Sequence, residues 1–360
     1  MNPTLEIHKG KIAKNAEAVL NLCRGRGIEP AAVIKGYNAI DDVTDVIVEA
    51  GYKTLSSSRL PHLRAVKRRG YRAASLMLRL PMLSEIREVV EVCDASLNSE
   101  AETLARLDAE ASQQGKRHGV ILMRDLGDLR EGIIDSPRLI ELACRTERCH
   151  KNLDLLGIGS NLSCYGSVMP TCQNLSLLAD DAAEIEREIG RKLDVVSGGE
   201  STSLQLLLRN EMPGGINHLR IGGAIMLRAE FSGLREGEMP DVTDDTLILK
   251  VEIIEIGEKP THPIGVLGVD CFGNKKTFED RGVRRRALAA IGAFDVGSHE
   301  KLVPLDENMK ILGCSSDHMI IDIHDCARRY ALGDIAEFKL LYQAMLYATA
   351  NPMVSKVVID

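Results

Sequence analysis

A lysine ends the short apolar run AAVIK at residues 31–35, and Gly36 and a polar turn follow it. Lysine is almost never fully buried unless it is paired or chemically modified. Lys35 could extend its ammonium group into solvent, could pair with Asp41 or Asp125, or could form a Schiff base with a carbonyl compound. The residues around Lys35 alone leave these three alternatives open.

Two glycine-rich stretches, VVSGGESTS at residues 195–203 and LRIGGA at residues 219–224, could bind an anion. Glycines allow backbone N–H groups to approach a phosphate, and serines such as Ser197 and Ser201 add hydroxyl donors where a helix begins. The alternative is that these glycines are ordinary turn residues. If a phosphate binds here, a pyridoxal phosphate Schiff base becomes the chemically specific alternative for Lys35.

Short apolar runs alternate with amphipathic helical patterns over roughly the first 230 residues. Continuous apolar strands that alternate with helices predict a parallel sheet covered by helices, and eight such units are the size of a TIM barrel. An open, doubly wound sheet is the alternative, because periodicity does not show closure. The predicted strands are residues 31–35, 53–58, 74–79, 94–98, 119–125, 155–161, 193–199 and 218–223.

The pattern changes after residue 232, where the chain is predicted to leave the barrel for a mainly β domain. We therefore expect an α/β protein with a TIM (β/α)8 barrel at residues 1–232 and a C-terminal β domain at residues 233–360. The first ten or so residues could instead pack on the β domain. The strands predicted in this domain are residues 246–256, 264–269, 287–291, 318–323 and 354–359.

In a TIM barrel, the chemistry takes place at the carboxyl ends of the strands, and a phosphate site often follows strands seven and eight. Here those two strands end in the two glycine-rich stretches. A lysine, several arginines and these glycines therefore meet at one end of the barrel if it closes. The residues at or just beyond the predicted strand ends include Lys35, Arg59, Arg79, Asn98, Arg124, Asp125, Arg130, Asn161, Ser197 and Arg220.

The composition argues against several classes of function. The net charge is −7, and no basic tail or Lys/Arg stripe of the kind that binds nucleic acid is present. The run Arg284–Arg286 leads into an apolar segment and indicates a strand edge or an interface instead. No apolar stretch reaches the ~18 residues of a membrane span, and residues 1–12 lack the layout of a signal peptide. Aromatic residues make up 3% of the chain, which favours a small polar substrate.

The nine cysteines are scattered singly, and none forms a CxxC pair. Neither a zinc ribbon nor a disulfide framework is indicated, so we predict no metal site. The reducing cytoplasm is the expected compartment.

Six motifs occur in order along the chain: AVIKGYNA (32–39), MRDLGDLREGI (123–133), GIGSNLSCYG (157–166), SGGESTS (197–203), LRIGGAIML (219–227) and GCSSDHMIID (313–322). Together they resemble the alanine-racemase-like, fold-type III pyridoxal phosphate enzymes over nearly the whole chain. Within this family, the chain is most similar to the ornithine/lysine racemase branch. The resemblance implies pyridoxal 5'-phosphate as the cofactor and an amino acid as the substrate.

The resemblance also implies a role for each motif. Lys35 would hold the cofactor as a Schiff base, Arg130 would contact its phenolic oxygen, and Arg220 would lie opposite its pyridine nitrogen. A C-terminal segment would reach the substrate from a second subunit, which implies a homodimer with shared active sites. The remaining candidates are Tyr37, Asn161, Ser197, Ser201, Gly222 and Gly223 for the cofactor, and Ser316, Asp317 and His318 for the substrate.

The second catalytic acid/base departs from the family pattern. Phe272 occupies the place of the tyrosine that exchanges the second proton in alanine racemases, and a phenyl ring carries no exchangeable proton. Cys271, Asp270 or His318 would have to take over this role.

Two further departures concern the cofactor and the substrate. Ala39 replaces another tyrosine of the family, and Met123 stands where some members carry a carbamylated lysine. We therefore do not expect strict specificity for alanine. The carboxylates of Asp317 and Asp270 would suit the basic side chain of ornithine or lysine.

The predicted function is that of a pyridoxal phosphate-dependent racemase. It would remove and return the Cα proton of ornithine, lysine or another non-alanine amino acid through a Lys35 Schiff base. An arginine at the pyridine nitrogen would leave that nitrogen unprotonated, which fits a racemase. The alternatives are an amino acid decarboxylase of the same fold and a non-catalytic pyridoxal phosphate-binding protein.

Overall fold

The computed structural model describes residues 3–227, 239 and 241–360, which form two compact units. The first unit lies within residues 12–243. The second unit joins the described residues of 1–11 to residues 244–360. The expected boundary between residues 232 and 233 lies outside the described residues.

Eight parallel strands close the first unit into a barrel, in the order of the sequence. Because the last of these strands pairs with the first, the predicted TIM barrel is confirmed and the open doubly wound sheet is wrong. Strand β1 (Thr4–His8) precedes the barrel and belongs to the other unit. The barrel strands are β2 (Glu29–Val33), β3 (Thr54–Ser57), β4 (Ala74–Met77), β5 (Ala95–Asn98), β6 (His118–Arg124), β7 (Leu153–Ser160), β8 (Val195–Ser197) and β9 (His218–Ile221).

A helix follows each barrel strand, and the helix at Cys172–Ile189 has clear capping signals at both ends. Before the longest, α7, Thr171 and Asn174 exchange side-chain-to-backbone hydrogen bonds of 3.1 and 2.8 Å, and Gly190 ends it in a left-handed conformation. None of the helices in the described chain is long and apolar enough to cross a membrane. The helices are α1 (Lys9–Arg24), α2 (Asp41–Glu49), α3 (Leu60–Arg69), α4 (Ile86–Val92), α5 (Ala101–Gln113), α6 (Ser136–Cys149), α7 (Cys172–Ile189), α8 (Leu204–Leu208) and α9 (Gly223–Met226).

The barrel core contains polar groups as well as apolar side chains. His118 is fully buried, and its Nε2 lies 2.8 Å from Ser96 Oγ, which also accepts a hydrogen bond from Asn98 Nδ2 at 3.0 Å. Burial lowers the pKa of His118 to about 4, so its imidazole is neutral at pH 7. An apolar cluster in the same core comprises Leu76, Ala95, Leu97, Ile121 and Met123.

The second unit is a mainly antiparallel β structure, which confirms the predicted C-terminal domain type. Its sheet order is β12-β15-β10-β11-β14-β13, and β1 pairs with both β10 and β16. The elements are β10 (Leu247–Pro260), β11 (Val283–Ala289), α10 (Ala293–Val296), β12 (Leu302–Pro304), β13 (Lys310–Cys314), β14 (Met319–Asp322), β15 (Ile335–Leu340), α11 (Tyr342–Ala350) and β16 (Ser355–Ile359).

Two expectations for this unit are wrong. Residues 264–269 form no strand, and Ile264 in this segment is 92% exposed, so its apolar side chains are not buried against a sheet. Arg284 does not mark a sheet edge, because its strand β11 lies between β10 and β14. Its guanidinium instead donates to Asp322 at 2.5 Å and to Asp325 at 2.5 Å.

Gly157 allows β7 to approach β8 in the barrel. A Cβ atom at this position would lie 2.6 Å from the carbonyl carbon of Val195 on β8. Gly157→Ala should therefore lower the free energy of unfolding by about 3 kcal/mol, measured by urea denaturation. Gly214→Ala is the matched control, because a Cβ there would meet nothing within 4 Å. Equal stability of the two variants would contradict this account of barrel packing.

Candidate active site

Lys35 lies in a tight turn two residues beyond β2, so the predicted strand 31–35 ends earlier than expected. The backbone N–H groups of Asn38 and Ala39 donate to Lys35 O and Ile34 O at 3.2 and 3.0 Å. Asn38 and Ala39 adopt left-handed φ angles of 55° and 51°, which bend the chain back over the end of the strand. The lysine is thus held by a specific backbone turn.

The Lys35 amine is partly buried, and its pKa is lowered by that burial and then by the positive charge of Arg130. The negative charges of Glu200 and Glu131 raise this pKa, but they do not reverse the direction. Asp125 is occupied elsewhere, because its Oδ1 accepts the N–H of Gly127 at 2.8 Å. A lysine with a lowered pKa is suited to act as a base or a nucleophile.

His62 fastens the Lys35 turn to the neighbouring strand, and the sequence analysis did not identify it. Its Nε2 lies 2.9 Å from Asn38 Oδ1, and its Nδ1 lies 3.0 Å from the hydroxyl of Ser57 at the end of β3. Burial lowers the pKa of His62, which favours the neutral ring. Since an amide oxygen only accepts, Nε2 carries the proton and Nδ1 accepts from Ser57.

The loop after β6 contributes Arg130. The guanidinium of Arg130 donates to both carboxylate oxygens of Glu131 and, through Nη1, to Cys164 Sγ at 2.8 Å. Cys164 lies in the loop after β7, so Arg130 joins two neighbouring strand ends. The arginine and its partners therefore form one side of the barrel mouth near Lys35.

Asp128 holds the loop that carries Cys164, and the sequence analysis did not identify this role either. Its buried carboxylate accepts the backbone N–H groups of Cys164, Tyr165 and Val168 at 3.3, 2.9 and 3.1 Å. Gly166 completes the contact, because a Cβ there would lie 2.6 Å from Asp128 O. The two loops are thereby packed as one body.

The glycine-rich strand ends form a set of hydrogen-bond donors beside β2. Ser201 Oγ accepts the backbone N–H of Gly222 and of Ala224, both at 3.3 Å, so its own hydroxyl proton can reach a further acceptor. Gly222 lies against β2, where a Cβ would be 2.9 Å from Val33 Cβ. The predicted phosphate site and the Lys35 turn therefore belong to adjacent strands.

Arg220 is buried in the barrel between β7 and β8. Its Nη1 donates to Ser197 Oγ at 2.5 Å, and its Nη2 donates to Ser160 O at 2.7 Å. Burial lowers its pKa to about 10, so the guanidinium remains charged at pH 7. Gly159 lies beside this group, because a Cβ there would be 3.0 Å from Ser197 Cβ and 3.4 Å from Arg220 Nη1.

His218 completes the buried network around Ser197. Its Nδ1 lies 2.9 Å from Ser197 Oγ, the same hydroxyl that Arg220 contacts. Burial and then the charge of Arg220 lower the pKa of His218 to about 3, so this ring is also neutral at pH 7.

Most of the cofactor candidates lie at the carboxyl ends of the barrel strands, and Tyr37 is placed differently. Tyr37 is fully buried, and Thr44 Oγ1 on α2 donates to its hydroxyl at 3.4 Å. This contact places the phenol in the core beneath the Lys35 turn. The candidates at or just after the strand ends are Lys35, Arg130, Asn161, Ser197, Ser201, Arg220, Gly222 and Gly223.

The candidates for the second acid/base belong to the C-terminal unit. Asp270 Oδ1 accepts the backbone N–H of Phe272 at 2.9 Å and of Asn274 at 2.8 Å, and Lys276 Nζ lies 3.4 Å from its Oδ2. These contacts, the backbone of Asn274 first, lower the pKa of Asp270. Its carboxylate is therefore ionised and shapes the turn that presents the exposed Cys271.

The substrate candidates lie in the turn between β13 and β14. Ser316 Oγ donates to Asp317 Oδ2 at 2.5 Å, and His318 is bound through its backbone to Ser315. The turn with Asp270 and Cys271 belongs to the same part of this unit, because Lys276, which pairs with Asp270, has its Nζ 3.1 Å from the place of a Cβ at Gly313 on β13. In the described residues, no group of three or more His, Cys, Asp or Glu side chains could hold a metal ion.

Comparisons with known proteins agree with this architecture. The profile of a family described as "Alanine racemase, N-terminal domain" matches residues 7–228. An ornithine racemase of Acetoanaerobium sticklandii is 39% identical over 99% of both chains, and a lysine racemase of Thermotoga maritima is 35% identical over 99% of this chain and 98% of the relative.

Solved structures of alanine racemases share the fold. The enzyme from a D-cycloserine-producing Streptomyces lavendulae has a TM-score of 0.74 at 16% identity and covers 100% of this chain and 97% of its own. The enzyme from Clostridium difficile 630 has a TM-score of 0.73 at 16% identity, covering 100% and 96%. At these identities the structural likeness concerns the fold alone.

Asp128→Ala should release the loop that carries Cys164. The free energy of unfolding should fall by about 2–3 kcal/mol, because three backbone N–H groups lose a buried acceptor. Hydrogen exchange at residues 164–168 should rise in parallel. Asp135→Ala is the control, since Asp135 caps α6 through one N–H group at 2.9 Å and should cost about 1 kcal/mol. Unchanged exchange at residues 164–168 in Asp128→Ala would contradict the role of Asp128.

Proposed function

The chain belongs to the alanine racemase family, and we propose that it is a pyridoxal phosphate-dependent racemase of amino acids other than alanine. The observation that carries this proposal is the environment of Lys35. The Lys35 amine is partly buried beside Arg130, and its pKa is lowered. Lys35 follows strand β2, which packs against Gly222. A reactive amine next to a glycine-rich anion site is what the cofactor requires.

The residues at the strand ends fit pyridoxal phosphate. Ser201 and the backbone of Gly222 and Gly223 would hold the phosphate, since the Ser201 hydroxyl already joins this backbone and can donate further. Arg220 would contact the pyridine nitrogen and Lys35 the carbonyl carbon. When bound, the cofactor accepts electron density from Cα of an attached amino acid, which weakens the Cα–H bond.

Lys35 would be the base on one face of the substrate. Burial and the charge of Arg130 disfavour its protonated form, so the free amine is more readily available to accept the Cα proton and return it. Its backbone turn, fastened through Asn38 and His62, would fix the direction of approach.

Arg220 would favour proton return over competing reactions. Its pKa of about 10 keeps the guanidinium protonated at pH 7, and its bonds to Ser197 and Ser160 fix its position. A guanidinium that retains its proton leaves the pyridine nitrogen unprotonated. The ring then withdraws fewer electrons, which fits racemisation better than decarboxylation.

We propose Cys271 of a second copy as the acid/base on the opposite face. Asp270 is the weaker candidate, because its carboxylate accepts backbone N–H groups and is ionised at neutral pH. Cys271 is exposed and precedes Phe272, which occupies the place of the family's tyrosine. The protein would then be a homodimer with shared active sites, and the cytoplasm would be its compartment.

Ornithine or lysine is the proposed substrate. The two relatives, named ornithine racemase and lysine racemase, match this chain over nearly its full length. Asp317 would supply a carboxylate for the terminal ammonium group, with Ser316 holding that carboxylate at 2.5 Å. Ser316 and His318 would line the same part of the substrate site.

Lys35→Ala should reduce racemisation of L-ornithine and L-lysine by at least about 10²–10⁴-fold, because the base is lost. The visible absorption band of lysine-bound pyridoxal phosphate should disappear as well. Chiral chromatography after incubation with single L-amino acids measures racemisation, and absorbance spectroscopy measures the visible band. Lys192→Ala is the control, since Lys192 forms an exposed pair with Glu186.

The same panel of amino acids separates the alternatives. Loss of optical purity in the wild-type protein supports the racemase. Release of CO2 without racemisation would show a decarboxylase, and the visible band without any turnover would show a non-catalytic pyridoxal phosphate-binding protein. Survival of the band in Lys35→Ala would overturn the assignment of Lys35.

Mixing two inactive variants tests the shared site. Cys271→Ala and Lys35→Ala homodimers should each be inactive, but mixed subunits should recover about one quarter of the wild-type activity. Half of the dimers are then hybrids, and each hybrid has one intact site. Cys149→Ala, at another exposed cysteine, should remain active. The role would pass to Asp270 if the Cys271→Ala homodimer were active and if mixing Asp270→Asn with Lys35→Ala restored activity in the same way.

A further inference from the structure

Glu131 forms a two-point ion pair with its neighbour Arg130. Arg130 Nε and Nη2 each donate to one carboxylate oxygen of Glu131. The Glu131 side chain is 14% exposed, whereas that of Arg130 is 38% exposed. The carboxylate is therefore the more enclosed partner, and the guanidinium extends from it toward the barrel mouth.

Part of the hydrogen-bonding capacity of Arg130 remains after these contacts. Glu131 occupies the side formed by Nε and Nη2, and Cys164 Sγ takes a hydrogen bond from Nη1 at 2.8 Å. A guanidinium has five N–H groups. One N–H on each terminal nitrogen is therefore left, and these groups can donate to a carboxylate or a phenolate.

The backbone on both sides of the pair is also constrained. Leu129 has a left-handed φ of 57°, and its N–H donates to Asp125 Oδ1 at 3.2 Å. Gly132 has a φ of 116°, and a Cβ there would lie 2.7 Å from Asp125 N. Arg130 and Glu131 thus lie between two fixed points and cannot move apart easily.

The pair also determines the charge that acts on Lys35. The described groups that act on the Lys35 amine are Arg130, Cys164, Glu200 and Glu131, and the positive charge of Arg130 is opposed by the negative charge of Glu131. Without Glu131, Glu200 would be the one carboxylate left among the described groups whose charges act on Lys35 and on the buried Arg220. An ion pair of this kind adds little to the free energy of unfolding, so we expect its role in the active site.

We propose that Glu131 is a positioning residue, which aims the remaining N–H groups of Arg130 into the active site and offsets its charge beside Lys35. This inference rests on the proposed function, in which Arg130 contacts the cofactor's phenolic oxygen. If the inference is right, the negative charge of the Glu131 carboxylate, and not only the shape of its side chain, is needed to set the pKa of Lys35.

The test compares Glu131→Gln, which keeps the shape but removes the charge, with Glu131→Asp, which keeps the charge. Loss of the anion leaves the charge of Arg130 unopposed, so the protonated form of Lys35 becomes less favourable and its pKa falls. The pH midpoint for labelling of Lys35 by an amine-reactive reagent should shift down by about one unit in Glu131→Gln. Peptide mass spectrometry on the full-length, cofactor-free chain measures it.

The matched control is Glu147→Gln. Glu147 forms the same two-point pair with Arg191, at 2.8 and 2.6 Å, on helix α6. This variant should leave the midpoint unchanged, and Glu131→Asp should restore it to near the wild-type value. Circular dichroism confirms that each variant is folded.

In the loaded enzyme, where Lys35 is a free amine only once substrate is bound, the acidic limb of the kcat profile should move to lower pH in Glu131→Gln, and kcat should fall more than KM rises. An unchanged labelling midpoint in Glu131→Gln, or an equal shift in Glu131→Asp, would overturn the role of Glu131. The labelling does not require turnover, so it distinguishes failure of this inference from failure of the racemase proposal.

Discussion

Closure of the barrel between β9 and β2 is the contact on which the active site depends. Gly222 packs so closely on Val33 that a single added carbon would lie 2.9 Å from Val33 Cβ. This approach brings the glycine-rich backbone after β9 next to the turn that carries Lys35. Arg220, one residue before β9 ends, is then enclosed by Ser197 and Ser160 of the preceding strands. A wider barrel would separate the amine from the donors that must act with it.

Much of the fold could be predicted from the sequence, because barrel strands are short apolar runs at regular spacing. The C-terminal unit was harder. Its strands β12 and β13 are short and mix polar with apolar residues, which gives no clear hydrophobic pattern. Strand β15 does alternate buried and partly exposed residues, a signal that the sequence analysis did not use, whereas the apolar residues 264–269 form no strand and are largely exposed. Hydrophobicity alone does not say whether a partner strand is available to bury a segment.

In the candidate site, too, some residues could be predicted from the sequence and others could not. Lys35, Arg220 and the glycines could be identified because they lie at predicted strand ends within motifs that resemble those of a known family. His62, Asp128 and Glu131, which bind the Lys35 turn, the Cys164 loop and Arg130, are common residue types whose partners follow from the fold. His62 binds Asn38 across 24 positions, and Asp128 binds Tyr165 across 37. Even Glu131, adjacent to its partner, has a specific role only once Lys35 is known to lie nearby.

The two histidines in the barrel interior restrict the conditions in which the chain stays folded. His118 and His218 are neutral in the folded barrel, with pKa values of about 4 and about 3, whereas an unfolded chain binds protons near pH 6.5. As the pH falls below 6.5, only the unfolded state takes up these protons, and the barrel loses stability down to about pH 3. Burial of these two imidazole rings in the barrel thus makes the folded chain less tolerant of acid.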